Sequence, residues 1–192
     1  MDAPPSPANA AKDPANEKDD DVGFLRFAAA VLALIAAFAF APRLFGQAQS
    51  PLAGKDAPDA PLTFVANPPE DAEPTLAALR GHPVLLDFWA TWCGPCQMEA
   101  PIVDKIAQRH RADGLAVIGV NTSDESGNAA RWAKSHGITY PIAFDSEQRV
   151  ARAFGVENLP TLVILSKDGK VAAVRTGITS DAELEAIVKK VL

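Results

Sequence analysis

Cys93 and Cys96 lie in the segment 89–96, WATWCGPC, and are the only 2 cysteines of the chain. The apolar run before them, 84–89, predicts a buried strand. From residue 95 onward, apolar residues recur at the spacing of a helix. The N-terminus of a helix has unpaired N–H groups and a partial positive charge, which stabilise a thiolate. Two intervening residues allow a small disulfide ring to close reversibly. The pattern predicts redox chemistry, with Cys93 as the partly exposed nucleophile and Cys96 as the shielded resolving thiol.

A cysteine pair has other uses that compete with redox chemistry. Half a zinc site needs two further ligands, and His82, His110 and His136 stand at no recognisable ligand spacing. Haem attachment requires a histidine directly after the second cysteine, where this chain has Gln97. A purely structural disulfide is a third alternative, although a strand–helix junction is a poor position for a disulfide that only stabilises the fold. We therefore predict no metal site and expect each histidine at the surface.

The elements that position the cysteines alternate along the chain. Apolar runs predict strands at 84–89, 115–120, 140–144, 161–165 and, after the Lys-Asp-Gly turn at 167–170, 171–175. Helical patterns cover 95–111, 128–135, 150–154 and 180–191, the last opened by a capping box at Ser180. This alternation predicts an α/β fold in which helices cover both faces of a mixed sheet.

Composition divides the 192 residues into four segments. Residues 1–22 predict a disordered acidic tail, because they lack aromatic side chains and nearly all branched aliphatic ones. Residues 23–45 predict one N-terminal transmembrane helix, as a retained anchor or alternatively a cleaved signal sequence. Residues 46–58 read as a flexible linker, and 59–192 form the folded domain. A net charge of −6 argues against a nucleic-acid partner.

Several motifs in sequence order resemble the thioredoxin superfamily: VLLDFWATWCGPC, Pro101, GVENLPTLVIL and the Lys-Asp-Gly turn. With the apolar N-terminal segment, the chain most resembles the membrane-anchored TlpA/ResA-type thiol-disulfide oxidoreductases of bacteria. The resemblance implies a thioredoxin-like domain in which Pro160 is a cis-proline opposite the cysteines. It also implies that the backbone of Leu159 pairs with a partner's chain. Trp92, Gly94 and Pro95 are then expected to support the site and to dock substrate.

Two acidic residues also match the superfamily's pattern. Asp87 stands in an apolar strand, where a carboxylate is costly unless it has a partner or takes up a proton. By resemblance it is the buried acid behind Cys96, and we expect it to shuttle a proton to that thiol with Glu99 assisting. The alternative is an Asp87 paired with a neighbour for stability. The lysine that thioredoxins pair with this acid is missing, because Gly119 falls near its place.

The resemblance implies a membrane-tethered protein-disulfide reductase in the periplasm, single-pass in the bacterial inner membrane. The Gly-Pro dipeptide between the cysteines resembles that of thioredoxin, whose reduction potential is about −270 mV. Strongly oxidising relatives have a reduction potential of about −120 mV. We expect no cofactor beyond the Cys93–Cys96 disulfide, a monomeric chain and a membrane electron donor. The expected clients are protein disulfides, of apocytochrome c or of metal-site cysteines. A copper-binding chaperone that uses the pair as soft ligands, and a thioredoxin-fold peroxidase, are the alternatives.

Overall fold

A computed structural model describes residues 26–27, 29–33, 50–69, 75–125 and 127–192. The predicted tail, 1–22, and most of the predicted transmembrane segment, 23–45, lie outside the described residues. Residues 26–27 and 29–33 are helical. Within the described ranges, no helix is long and apolar enough to cross a membrane. The domain that carries the cysteines belongs to the compact unit Gln49–Leu192.

One mixed sheet of six strands forms the centre of this unit, in the order β1-β4-β3-β2-β5-β6. The strands are β1 (Phe64–Ala66), β2 (Val84–Trp89), β3 (Ala116–Thr122), β4 (Ile142–Asp145), β5 (Thr161–Leu165) and β6 (Val171–Thr176). β2, β3 and β4 are parallel, whereas β1, β5 and β6 pair antiparallel with their neighbours. The five predicted strands are confirmed. The sequence analysis missed β1, which has only 3 residues.

Four α-helices and one short 3-10 helix surround the sheet. They are α1 (Gly94–His110), α2 (Asn128–Ser135), α3 (Arg149–Ala153), α4 (Asp181–Val188) and the 3-10 helix Ala77–Leu79. The predicted helices are confirmed, although α4 ends at Val188 rather than at 191. Ser180 caps α4, because its hydroxyl accepts a hydrogen bond from the N–H of Glu183 at 3.3 Å. The Glu183 carboxylate binds Arg175 rather than completing a capping box.

The alternation of side chains along β2 divides the core between the two faces of the sheet. Leu85 and Trp89 pack with residues of α1, α2 and α4. Leu86 and Phe88 pack on the other face, with residues of α3 and of the chain that leads into the 3-10 helix. Helices thus cover both faces, as predicted, and the face under α1 is the one that receives the odd-numbered side chains of β2.

The predicted linker, 46–58, is in part folded onto the domain. The N–H of Gly54 donates to the carbonyl of Val171 at 2.8 Å, and the N–H of Val171 donates to Lys55 at 2.9 Å. The N–H of Ala57 donates to Gly169 at 2.8 Å. The linker prediction is therefore wrong for residues 54–57. Composition shows small and polar side chains there, but it cannot show backbone hydrogen bonds to a distant hairpin.

Candidate active site

Cys93 is the N-cap residue of α1 and is joined to Cys96 by a disulfide, with the two Cα atoms 5.3 Å apart. The Cys93 sulfur accepts a hydrogen bond from the backbone N–H of Cys96 at 3.2 Å. Pro95 follows in the first turn, where its missing N–H is not needed. The pair therefore lies at the predicted strand–helix junction, and the N–H of Cys96 in the first turn donates to the Cys93 sulfur.

Both cysteines are buried, which corrects the prediction of a partly exposed Cys93. Its side chain is 5% exposed and that of Cys96 is 3% exposed. Both cysteines belong to the buried cluster that contains Trp89 and residues of the inner face of α1. The neighbours on the chain, Trp92 and Gly94, are exposed.

The loop after β3 holds the segment that leads into Cys93. The Asp124 carboxylate accepts hydrogen bonds from the N–H and the hydroxyl of Thr91 and from the Asn121 side-chain amide, each at 2.7 Å. The Trp92 indole N–H donates to the carbonyl of Ser123 at 2.9 Å. The sequence analysis missed Asp124, because it is one of two acids in the polar stretch 121–126 and has the pattern of an ordinary loop residue.

Pro160 and the loop after β6 contact each other, and the loop also contacts α1 through Thr179 and Glu99. The Leu159–Pro160 peptide bond is cis, as the resemblance implies, and the carbonyl of Pro160 accepts from the N–H of Gly177 at 2.9 Å. Ile178 follows and is 49% exposed, while Trp92 is 64% exposed. The sequence analysis missed Ile178. The available signal was a single branched aliphatic residue in the turn that precedes Ser180, the residue that caps α4.

Asp87 is buried on the face of the sheet that α1 covers, because it stands between Leu85 and Trp89 on β2. The hydroxyl of Tyr140 donates a hydrogen bond to its Oδ2 atom at 3.0 Å. Burial, and then the charge of Glu99, raise the pKa of Asp87 to about 7, while the Tyr140 hydrogen bond opposes this rise. This carboxyl can therefore exchange a proton near neutral pH.

Glu99 extends from the inner face of α1 and is 1% exposed. Its Oε1 atom accepts a hydrogen bond from the backbone N–H of Thr179 at 2.7 Å. Its Oε2 atom is buried and has no hydrogen-bond partner among the described residues. Burial raises the pKa of Glu99, and the bond from Thr179 acts against this rise. The structure thus places two buried acids, Asp87 and Glu99, within electrostatic reach of each other.

Gly119 stands opposite Asp87 in the parallel pairing of β2 and β3. This placement agrees with the expectation that no lysine faces the acid from this position. A Cβ atom at Gly119 would lie 3.0 Å from a ring carbon of Tyr140, which is the residue that contacts Asp87 instead. Sequence reasoning missed Tyr140, although a signal existed, since it is the only tyrosine of the chain.

The three histidines differ in their exposure. His82 and His136 are exposed, as expected, but His110 is 5% exposed, so the surface prediction is wrong for it. His110 lies between two carboxylates, with Nδ1 2.7 Å from Asp113 and Nε2 3.0 Å from Glu185. In the described part of the chain, no group of three or more His, Cys, Asp or Glu side chains is arranged to hold a metal ion.

A six-stranded mixed sheet, a cysteine pair at the start of α1 and a cis peptide bond before Pro160 together define a thioredoxin-superfamily protein of the TlpA/ResA type. The chain belongs to the Redoxin family, whose model matches residues 52–192, and it is a thiol-disulfide oxidoreductase. Thiol-disulfide oxidoreductase ResA of Geobacillus thermodenitrificans is 32% identical over 157 residues, which cover 81% of this chain and 88% of the relative. ResA of Bacillus subtilis is 30% identical over 139 residues, covering 72% and 75%.

Solved structures agree with the class. The structure of a putative thiol:disulfide interchange protein DsbE from Chlorobium tepidum has a TM-score of 0.65 and 28% sequence identity, covering 72% of this chain and 96% of that chain. A putative protein disulfide isomerase from Bacteroides thetaiotaomicron has a TM-score of 0.63 and 27% identity, covering 72% and 86%.

Proposed function

We propose that this chain is a membrane-tethered periplasmic reductant of protein disulfides that works through the Cys93–Cys96 dithiol. The observation that carries the proposal is the position of the pair. Cys93 caps the positive end of α1, and Asp87 is buried beneath the same helix with a pKa of about 7. One thiol is therefore placed where its thiolate is stabilised, and an acid that can exchange protons lies on the inner side.

In the first step, the Cys93 thiolate of the reduced chain attacks one sulfur of a partner's disulfide. A bond forms between Cys93 and that sulfur, the partner's S–S bond breaks, and the second partner sulfur leaves as a thiolate that takes a proton from solvent. The N–H of Cys96, 3.2 Å from the Cys93 sulfur, stabilises the attacking thiolate.

In the second step, the Cys96 thiol gives its proton to the Asp87 carboxylate and attacks the Cys93 sulfur. The Cys93–Cys96 bond forms and the mixed disulfide breaks, so that the first partner sulfur also leaves as a thiolate and is protonated. The partner has gained two electrons and two protons, and the cysteine pair is oxidised. Glu99 assists, because its charge raises the pKa of Asp87 toward neutral pH.

Docking uses the surface beside the disulfide. Trp92 and Ile178 are large exposed apolar side chains, which favour a protein partner. Ile178 lies between Gly177, which binds Pro160, and Thr179, which binds Glu99, so it borders both the cis-proline and α1. The backbone of Leu159 is available for strand-like pairing with the partner's chain.

The location of the chain, the direction of electron transfer and the client proteins are proposed from the sequence. The apolar segment within 23–45 would anchor the chain in the bacterial inner membrane with the domain in the periplasm. The Gly-Pro dipeptide favours reduction, so a membrane electron donor must return electrons to the pair in that oxidising compartment. The proposed clients are the haem-binding cysteines of apocytochrome c or metal-site cysteines, and no cofactor beyond the disulfide is required.

The proposal is tested by measuring the reduction potential of the Cys93–Cys96 couple together with insulin-disulfide reduction. We expect a potential near that of thioredoxin, about −270 mV, and reduction of insulin that is lost in Cys93→Ser. A potential well above about −180 mV would contradict the reductive direction. Tight Cu(I) binding without insulin reduction would favour the copper chaperone, and rapid peroxide consumption would favour the peroxidase.

A further inference from the structure

Asp87 and Tyr140 form a buried, hydrogen-bonded pair on the face of the sheet that α1 covers. The Tyr140 hydroxyl donates to Asp87 Oδ2 at 3.0 Å, and both side chains are 3% exposed. Burial and the nearby Asp87 carboxyl keep the pKa of Tyr140 well above its usual range. The phenol therefore holds its proton at physiological pH and acts as a hydrogen-bond donor to the acid.

The position opposite Asp87 is shaped for the tyrosine ring. A Cβ atom at Gly119 would lie 2.6 Å from Ile142 Cδ1 and 3.0 Å from both Trp89 Nε1 and Tyr140 Cε2. A side chain at position 119 would displace the Ile142 side chain and the rings of Trp89 and Tyr140. Gly119 thus leaves the space facing Asp87 to Tyr140, which reaches it from the segment before β4.

The charged groups around the pair are acidic. Glu99 approaches from α1, and Asp104, also on α1, adds its negative charge near Tyr140. None of the salt bridges formed by the described residues involves Asp87 or Glu99. Burial and Glu99 both favour the protonated form of Asp87, so the Tyr140 hydroxyl is the neighbour that stabilises its carboxylate.

We infer that Tyr140 is a positioning residue for disulfide exchange: its hydroxyl holds the Asp87 carboxylate in the form that accepts the Cys96 proton. This inference rests on the proton transfer proposed above. Without the phenol, a smaller fraction of Asp87 would be deprotonated at neutral pH, so less of the base would be available to Cys96. A neutral tyrosine thereby supplies the stabilisation that a cation would otherwise give to this acid.

The test is the pH dependence of the resolving step. Reduced chain is mixed with an aromatic disulfide, and release of the second aromatic thiolate reports the attack of Cys96 on Cys93. We compare the wild type, Tyr140→Phe, Asp87→Asn and the double variant. Thr122→Val is the matched control, because the Thr122 hydroxyl is also buried but has no partner among the described residues.

We expect the apparent pKa of the resolving step to rise by about one unit in Tyr140→Phe, the size expected on losing a hydrogen bond to a charged group. Asp87→Asn removes this titration, and Tyr140→Phe then has no further effect in the double variant. Thr122→Val leaves the profile unchanged. These three results together support the inference.

An unchanged profile in Tyr140→Phe, while Asp87→Asn removes the titration, would overturn the inference and leave the proposed proton transfer intact. An unchanged profile in Asp87→Asn would overturn both. If Tyr140→Phe does not fold, the position is occupied by 3-fluorotyrosine, whose more acidic hydroxyl is a stronger donor. The apparent pKa must then fall, and a pKa that stays constant or rises contradicts the inference.

Discussion

Asp87 and Gly119 face each other across the central parallel strands β2 and β3, and the acid meets no side chain from the residue opposite. The space is filled by the rings of Trp89 and Tyr140, which would each lie 3.0 Å from a Cβ atom at position 119. Because Gly119 has no side chain, the Tyr140 ring can occupy the space beside Asp87. The Tyr140 hydroxyl is therefore the group that contacts this acid. This relationship connects the packing of the sheet to the chemistry of the cysteine pair.

Gly119→Ala is expected to destabilise the domain by about 1–3 kcal/mol, because overpacking a buried site forces its neighbours to move. The added methyl group would lie 2.6 Å from Ile142 Cδ1. The measurement is urea unfolding followed by circular dichroism. Gly94→Ala is the control, because its Cβ atom would meet nothing within 4 Å, and equal stabilities of the two variants would contradict the packing described here.

Asp87→Asn is expected to stabilise the oxidised chain at pH 8, by up to about 4 kcal/mol. The folded-state pKa of Asp87 is raised from 3.8 to about 7, so the unfolded chain loses this proton first as the pH increases. The stability of the wild type should therefore fall relative to the variant between about pH 4 and pH 7, and the two should converge at lower pH. Parallel unfolding curves across this range would show that Asp87 is not a perturbed acid.

Glu99→Gln is expected to lower the apparent pKa of the resolving step. The charge of Glu99 raises the pKa of Asp87, and a neutral amide removes that charge while its oxygen can still accept from the N–H of Thr179. The pH profile of Cys96 attack is the measurement, and Glu157→Gln is the control because Glu157 is exposed. A rise in the pKa, or the same change in both variants, would argue against electrostatic coupling of the two acids.

His110→Gln is expected to reduce stability more at pH 5.5 than at pH 9. Burial lowers the pKa of His110, but the carboxylates of Asp113 and Glu185 outweigh it and raise the pKa above 6.5. The stabilisation is fully present below the unfolded-state pKa and is lost as the pH rises through the higher folded-state value. Unfolding free energies at the two pH values test this, with His82→Gln as an exposed control. A pH-independent loss would mean that His110 contributes packing alone.

Local patterns were sufficient to predict the elements that carry the site. The buried strand β2, the helix that starts at the cysteines and the hairpin between β5 and β6 each have a signal within a few consecutive residues. The cis peptide bond before Pro160 was implied by the resemblance to the thioredoxin superfamily and not by a local pattern.

The missed features depend on contacts between distant segments. Tyr140 is separated from Asp87 by 53 residues, and their contact depends on the pairing of three strands and on the space at Gly119. The hydrogen bonds of Gly54, Lys55 and Ala57 to the hairpin likewise have no local signal. The burial of Cys93 and His110 arises from the packing of α1 against the sheet and against α4, which periodicity alone does not quantify.

Trapping of mixed disulfides tests the central claim most directly, because it assigns the nucleophile and the resolving thiol separately. Reduced Cys96→Ser and Cys93→Ser chains are incubated with insulin or with periplasmic protein in its oxidised form, then quenched with acid and separated without reductant. We expect Cys96→Ser to accumulate adducts through Cys93 that a thiol reductant releases, and Cys93→Ser to accumulate far fewer. Equal trapping by the two variants, or no adduct with Cys96→Ser, would contradict the account.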